Sequence, residues 1–404
     1  MGPRERTVPD RCPGVLAVHE AADGGLARVR LPGGVLSPSQ LRVLVGAAVE
    51  LGDGHLELTS RANVQLRALK AGAPVELSDR LYAAGLLPSL SHERVRNILA
   101  SPLSGLDGVG RCDVLPVARE LDELLCARAG LAELPGRFLF ALDDGRGDLA
   151  SVEADVAVRM VDGASGELVL AGVATGVVVA VERVAEVMVA LAEAFLVERG
   201  DAWRLGELSD GPRLVLERVE SAGQTQLWSA GRGVGGDASG AGGTVGAGPA
   251  EAGVFRRRDG GAGLVAGVPL GVLEAEQALA LAEVGEELRV TPWRSVVVGR
   301  VDDVDGAVRR LTRLGLVLEA GSPWNGVTSC AGRPGCAKAL ADVRGDARRV
   351  VPGWGAGRRM VHWSGCERRC GRPGGEFVDV LALAEGGYSV DGVAMDVDEV
   401  RAAQ

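Results

Sequence analysis

Apolar and polar positions run along this chain in an order that is used twice. Residues 14–69 and 253–301 each predict a strand, a glycine-rich turn, a second strand, a GVL entry into an amphipathic helix, and a β-rich segment carrying Thr59 or Thr291. The likeness continues weakly, with GLLPSLSHERVRNILASPLSG from Gly85 against GLVLEAGSPWNGVTSCAGRPGC from Gly315, which sets Asn97 against Asn325. Between the copies, FLFALDDG, DVAVRMVDG and GELVLAG predict strands, and apolar residues at helical spacing predict a helix from Val181 to Arg199. Ser229 to Ala252 is almost wholly Gly, Ala, Ser, Asp and Thr without apolar period, which predicts a flexible join between the halves. Two matching half-units of this kind pair about a pseudo-twofold axis and share a cleft, so the site is expected to draw on both.

Within LTSRANVQLRAL the polar residues Arg61, Asn63, Gln65 and Arg67 alternate with Ala62, Val64 and Leu66. As one strand, this places a row of arginine and amide on a single face, suited to several carboxylates, although a solvated strand face is the commoner fate of such a row. The second copy has Trp293, Ser295 and Val297 at the matching places, so whatever the face binds is bound asymmetrically. HERVRN adds Arg94, Arg96 and Asn97.

Only the second copy carries the motif Cys330-x5-Cys336, 29 residues, Cys366-x3-Cys370. Each pair is wider than a two-residue zinc knuckle but short enough for one loop to aim two thiolates at one centre, and Gly332, Gly335, Gly365 and Gly371 allow backbone to close round it. The spacing points to a four-thiolate iron–sulfur cluster, with structural zinc as the competing reading. Cys12, Cys112 and Cys126 read as ordinary buried thiols. The N-terminus has no apolar export stretch, so reduced thiols and a cytoplasmic location are expected.

Composition narrows the partners. The 404 residues suffice for several structural units, and a net charge of −10 argues against nucleic acid. The apolar run Leu168 to Val181 is too short for a membrane span. Of 44 basic residues only Lys70 and Lys338 are lysine. Arginine grips carboxylates well but gives up its proton poorly.

The duplicated half, LTSRANVQLR, HERVRN and C-x5-C…SGCxxxC together resemble the nitrite and sulfite reductase superfamily over nearly the whole chain apart from the glycine-rich join. The resemblance implies an α+β fold with two ferredoxin-like half-domains, 1–75 and 253–311, paired about the pseudo-twofold. Two α/β units complete it, a tetrapyrrole-binding one at 76–228 and a cluster-binding one at 312–404, with 229–252 as linker. It further implies that Cys330, Cys336, Cys366 and Cys370 hold a [4Fe–4S] cluster, Cys370 bridging to a haem iron in members that bind sirohaem. Arg61, Asn63, Gln65, Arg67, Arg94, Arg96 and Asn97 would then meet tetrapyrrole carboxylates.

Assimilatory members carry a lysine-rich LPRKFK-like segment for proton delivery. Here LPGRFLFALDDG sets Arg137 and Leu139 at those places, and no lysine occurs between residues 71 and 337. That departure is similar to the precorrin-3B synthase branch, whose members use dioxygen and an electron donor to hydroxylate precorrin-3A at C20 with γ-lactone formation. The branch is also associated with a mononuclear non-haem iron, for which this chain offers His92, Asp143 and Asp144 but no legible triad. A sirohaem-containing sulfite or nitrite reductase, and a non-catalytic zinc or tetrapyrrole-binding protein, remain the alternatives. The internal twofold suggests a monomer.

Overall fold

The computed structural model describes residue 10 and residues 12–223, 228, 250–355 and 359–402. Most of the expected glycine-rich join, residues 229–249, lies outside the described residues.

Each repeat folds its strands into a sheet and then lends one strand to the other. Strands His19–Ala21, Gly24–Val29, Val64–Leu69 and His55–Leu58 are completed by Val272–Glu274 of the second copy; Gly253–Arg256, Ala262–Gly267, Ser295–Val301 and Leu288–Val290 are completed by Val35–Leu36 of the first. A tight turn with two left-handed residues precedes each lent strand, Gly33 and Gly34 at φ 66° and 72°, and Leu270 and Gly271 at φ 56° and 71°. At Gly34 only hydrogen fits, because a Cβ would lie 2.1 Å from the Val290 carbonyl oxygen of the other half.

The GVL segments then open helices Pro38–Leu51 and Ala275–Val284. In both, the first cap residue and the glutamine three positions on cap each other reciprocally, Ser37 with Gln40 and Glu274 with Gln277. Leu41, Leu44 and Ala48 from one helix and Ala278 and Leu281 from the other enter one apolar core that both halves share.

Two further five-stranded sheets flank this centre with the same topology. In one, Ile98–Ala100, Phe140–Asp143 and Val156–Met160 are parallel, and the hairpin Ser165–Leu170 and Val173–Ala180 adds antiparallel. In the other, Val327–Ser329, Val361–Ser364 and Val378–Ala382 are parallel, followed by the hairpin Tyr388–Val390 and Val393–Met395. The duplication therefore reaches beyond the half-domains. The helix expected from Val181 begins as a single 3-10 turn, Val181–Arg183, and continues as Val184–Glu198, buried over most of its surface.

One expectation is corrected. LTSRANVQLRAL is not a continuous strand: pairing starts at Val64, and Thr59 turns the chain by accepting the N–H groups of Arg61 at 3.2 Å and Asn63 at 3.1 Å, with Ala62 left-handed at φ 53°. Thr291 does the same for Trp293 and Ser295. A threonine hydroxyl competes with the ladder for backbone donors, and here it wins. Arg61, Asn63, Gln65 and Arg67 therefore do not share one face. Among the described residues no helix is long and apolar enough to cross a membrane.

Candidate functional site

The cysteines sit on the loops that leave the ends of two neighbouring parallel strands. Cys330 directly follows Val327–Ser329, and Cys366 stands two residues beyond Val361–Ser364. The loops are tied together by Cys330 N–H donating to Trp363 O at 3.0 Å, Leu340 N–H to Gly365 O at 2.7 Å, and Gly365 N–H to Cys330 Sγ at 3.2 Å. A Cβ on Gly365 would come within 2.8 Å of the Ala339 Cβ, so glycine is what lets that N–H reach the sulfur.

No disulfide links the four thiols. Burial raises the pKa of Cys370 first, Arg368 opposes it, and Cys330, Cys366 and Cys336 push it further up, so the four sulfurs lie in one another's field. Among the described residues no group of three or more His, Cys, Asp or Glu side chains is arranged to hold a metal ion. Ser329 Oγ, Ser364 Oγ and His362 Nε2, on or beside the strand ends that launch these loops, are buried without a hydrogen-bond partner. Thiol donors, a glycine cradle and orphaned polar atoms fit a group held through sulfur.

Each half sends an arginine to brace one cysteine loop. Arg67 donates to Gly335 O at 2.5 Å while pairing with Asp23 at 3.0 Å, and Glu57 lies 3.7 Å from it. Glu57 in turn takes Arg344 from the helix after the first cysteine loop and Gln65 from its own sheet. On the second loop, Arg294 donates to Gly371 O at 3.0 Å. Burial and the nearby Arg344 lower its pKa to about 10. Arg67, expected to meet a ligand carboxylate, is thus committed to protein partners.

Three other arginines, Arg30 buried and Arg28 and Arg61 half-buried, make no ion pair among the described residues. Arg28 bonds Gln65 Oε1 at 2.9 Å and approaches Cys12 Sγ at 3.6 Å; Arg30 bonds the Arg94 and Pro13 carbonyls; Arg61 bonds Gly136 O at 3.3 Å. Burial lowers the pKa of all three. Arg28 adds to the effect at Arg30, which falls to about 9, and Arg204 adds to it at Arg61, which falls to about 10. Cations held this way without carboxylates favour an incoming anion. Arg28 and Arg30 were not singled out from sequence, although their alternation in GLARVRL was the available signal.

The remaining expected residues divide. Asn63 receives Leu31 N–H and donates to Asn97, and Asn97 donates to Gly136 O at 3.0 Å, so both fix the turn beside Arg61. Arg94 reaches the Asp10 carbonyl. Arg96 is buried in a bidentate pair with Asp122 at 2.7 and 2.6 Å, away from this group. Arg137 is exposed over the Trp203 ring and Leu139 is in the core, so neither offers a proton relay.

The position in the first flanking sheet that matches the cysteine loops holds an ionic network. Ser101 follows its strand as Cys330 does, and donates to Asp148 at 2.7 Å; Arg146 pairs with Asp107 and Asp144, each at 2.8 Å. Burial, helped by Asp143 and Asp144, raises the Asp148 carboxyl to about 7. Asp143 accepts the Gly145 and Gly147 N–H groups, whereas His92 is held by Ser89, Ser91 and the Arg128 carbonyl. The structure does not bring His92, Asp143 and Asp144 together as ligands of one iron.

Known proteins resemble this chain in sequence and in fold. The model for the nitrite/sulfite reductase ferredoxin-like half domain matches residues 19–84, the first repeat. The chain is 28% identical over 406 residues, 95% of its length and 83% of the relative's, to a precorrin-3B synthase of a Sinorhizobium species. It is 36% identical to the ferredoxin–nitrite reductase of Synechococcus elongatus over 137 residues, 32% of this chain and 26% of that one. In fold it is similar to the NirA protein of Mycobacterium tuberculosis, with a TM-score of 0.70 at 23% identity over 86% of this chain and 69% of that one. In its repeats, exchanged strands and paired flanking sheets the chain is similar to proteins of the nitrite/sulfite reductase kind, whose ferredoxin-like half domain its first repeat matches.

Proposed function

We propose that this protein is a precorrin-3B synthase, adding one oxygen atom from dioxygen to C20 of precorrin-3A with γ-lactone formation. The observation that carries the reading is the pairing of two features: similarity to a precorrin-3B synthase over 95% of the chain, and a partly buried arginine group that pairs with no carboxylate among the described residues. Arg28, Arg30 and Arg61 would take acetate and propionate groups of the macrocycle, each charge-assisted bond contributing about 1.5–3 kcal/mol once water is excluded. Cys330, Cys336, Cys366 and Cys370 would hold a [4Fe–4S] cluster, which supplies single electrons when bound. Arg67 and Arg294 keep the two loops in place.

A reductase reading is favoured by the 36% identity to a nitrite reductase in one third of the chain. Against it stands proton supply. Lys70 is exposed on Glu50 O, Lys338 is exposed on a cysteine loop, and arginine donors are too basic to feed a multi-proton reduction. Anaerobically purified protein is given precorrin-3A, reductant and isotopically labelled dioxygen, and product mass is followed. The synthase reading requires one labelled oxygen in the product; sirohaem absorption with nitrite or sulfite turnover and no label replaces it with the reductase.

A further inference from the structure

His362 lies in the strand Val361–Ser364, fully buried, flanked in register by Thr328 and Asp379. Its Nδ1 is 2.8 Å from Thr328 Oγ1, and that hydroxyl is 3.3 Å from the Val361 carbonyl. Thr328 has one hydrogen to give, to Nδ1 or to that carbonyl; given to Nδ1, it leaves the ring proton on Nε2. Among the described residues Nε2 has no hydrogen-bond partner, although buried polar groups are paired almost without exception. The backbone of Cys370 lies beside the ring. Phe377 packs at right angles to the ring, with centroids 6.1 Å apart.

We propose that His362 Nε2–H is a hydrogen-bond donor to sulfur of the cluster bound by the Cys366–Cys370 loop, and that it sets the ease with which this centre accepts an electron. This rests on the cluster assignment made above. A hydrogen bond to cluster sulfur stabilises the more negative, reduced state, so the donor raises the reduction potential. His362 is in this sense a tuning residue that touches neither substrate nor dioxygen, and Thr328 selects the tautomer that lets it donate.

The test is a redox titration of the anaerobically assembled protein, followed by paramagnetic resonance, with exchangeable protons near the reduced cluster detected by deuterium exchange. His362→Phe fills the same space without a donor: the midpoint is expected to move to a more negative value and one exchangeable proton coupling to disappear, while iron and sulfide content stay at the wild-type level. His362→Gln restores an N–H and is expected to recover part of both. An unchanged midpoint and coupling in a fully loaded His362→Phe chain overturns the inference and leaves the cluster assignment standing. If that chain assembles no cluster, Thr328→Val decides: a midpoint moved in the same direction supports the donor, an unmoved one overturns it. A wild-type chain that binds no iron and sulfide defeats the cluster assignment itself, and the inference with it.

Discussion

Replacing Arg67 with methionine removes three contacts while keeping the apolar stem. The bond to Gly335 O is charge-assisted and buried, and bonds of that kind contribute about 1.5–3 kcal/mol. Asp23 loses its bidentate partner, whereas Glu57 keeps Arg344 and Gln65. Breaking one side of a buried pair typically costs about 3–5 kcal/mol in global stability. The more diagnostic effect is local. The cysteine loop keeps the amides of Arg333, Ala339 and Leu340 in bonds to Ala341, Cys336 and Gly365, and Arg67 holds that loop to the first half. Losing about 1.5–3 kcal/mol of local hold, at about 1.4 kcal/mol per tenfold, raises their hydrogen exchange by roughly 10- to 150-fold. Exchange measured by mass spectrometry over residues 330–341 in the metal-free protein reads this directly. Unchanged exchange there, combined with lost tetrapyrrole affinity, would show that Arg67 faces a ligand and that the brace is misassigned.

Arg61→Met should behave oppositely: a desolvated cation with one carbonyl partner is removed, so the melting temperature rises while affinity for a carboxylated tetrapyrrole, followed by fluorescence quenching, falls several-fold; a destabilised variant with unchanged affinity contradicts this. Asp148 holds its proton in the native state up to about pH 7 and in the unfolded chain only to about 3.8, so its contribution is fully present below pH 4 and is lost as pH rises through 7. Asp148→Asn is expected to flatten that loss and to melt above wild type at pH 8, and a parallel decline in both proteins would refute it. Cys366→Ser should abolish the broad charge-transfer absorption and lower bound iron to background in anaerobic preparations; full retention of both would remove Cys366 from the ligand set.

The repeat was legible because its signals are local: the GVL helix entries, the threonines that turn the chain, and apolar periods all recur at matching places. The four cysteines were legible for the same reason, each pair lying within one loop. Partner choice was not. Nothing in the spelling of RANVQLR distinguishes Arg67, claimed by Asp23 from the preceding turn and by Gly335 from a loop 268 residues on, from Arg61, left with a single carbonyl. Arg96 was grouped with Arg94 by adjacency, yet the two lie in a turn ahead of Ile98–Ala100 rather than in a strand, where residues two apart share a face, and Asp122 of a later helix takes Arg96. The residue with the least sequence signal was His362, whose place beside the cysteine loops follows from parallel strand register rather than from any ligand spacing.

The strands exchanged between the halves set the order in which this protein can be made. While Val272–Glu274 is still being synthesised, the first repeat has an open edge along His55–Leu58, and its own Val35–Leu36 has no sheet to join. Open edges of this kind recruit whatever strand arrives, including one from another nascent copy. The same topology describes a symmetric dimer of single repeats, each lending a strand to its partner. Joining two such repeats in one chain makes the correct partner the nearest one, and leaves the second copy free to acquire cysteines that the first does not carry.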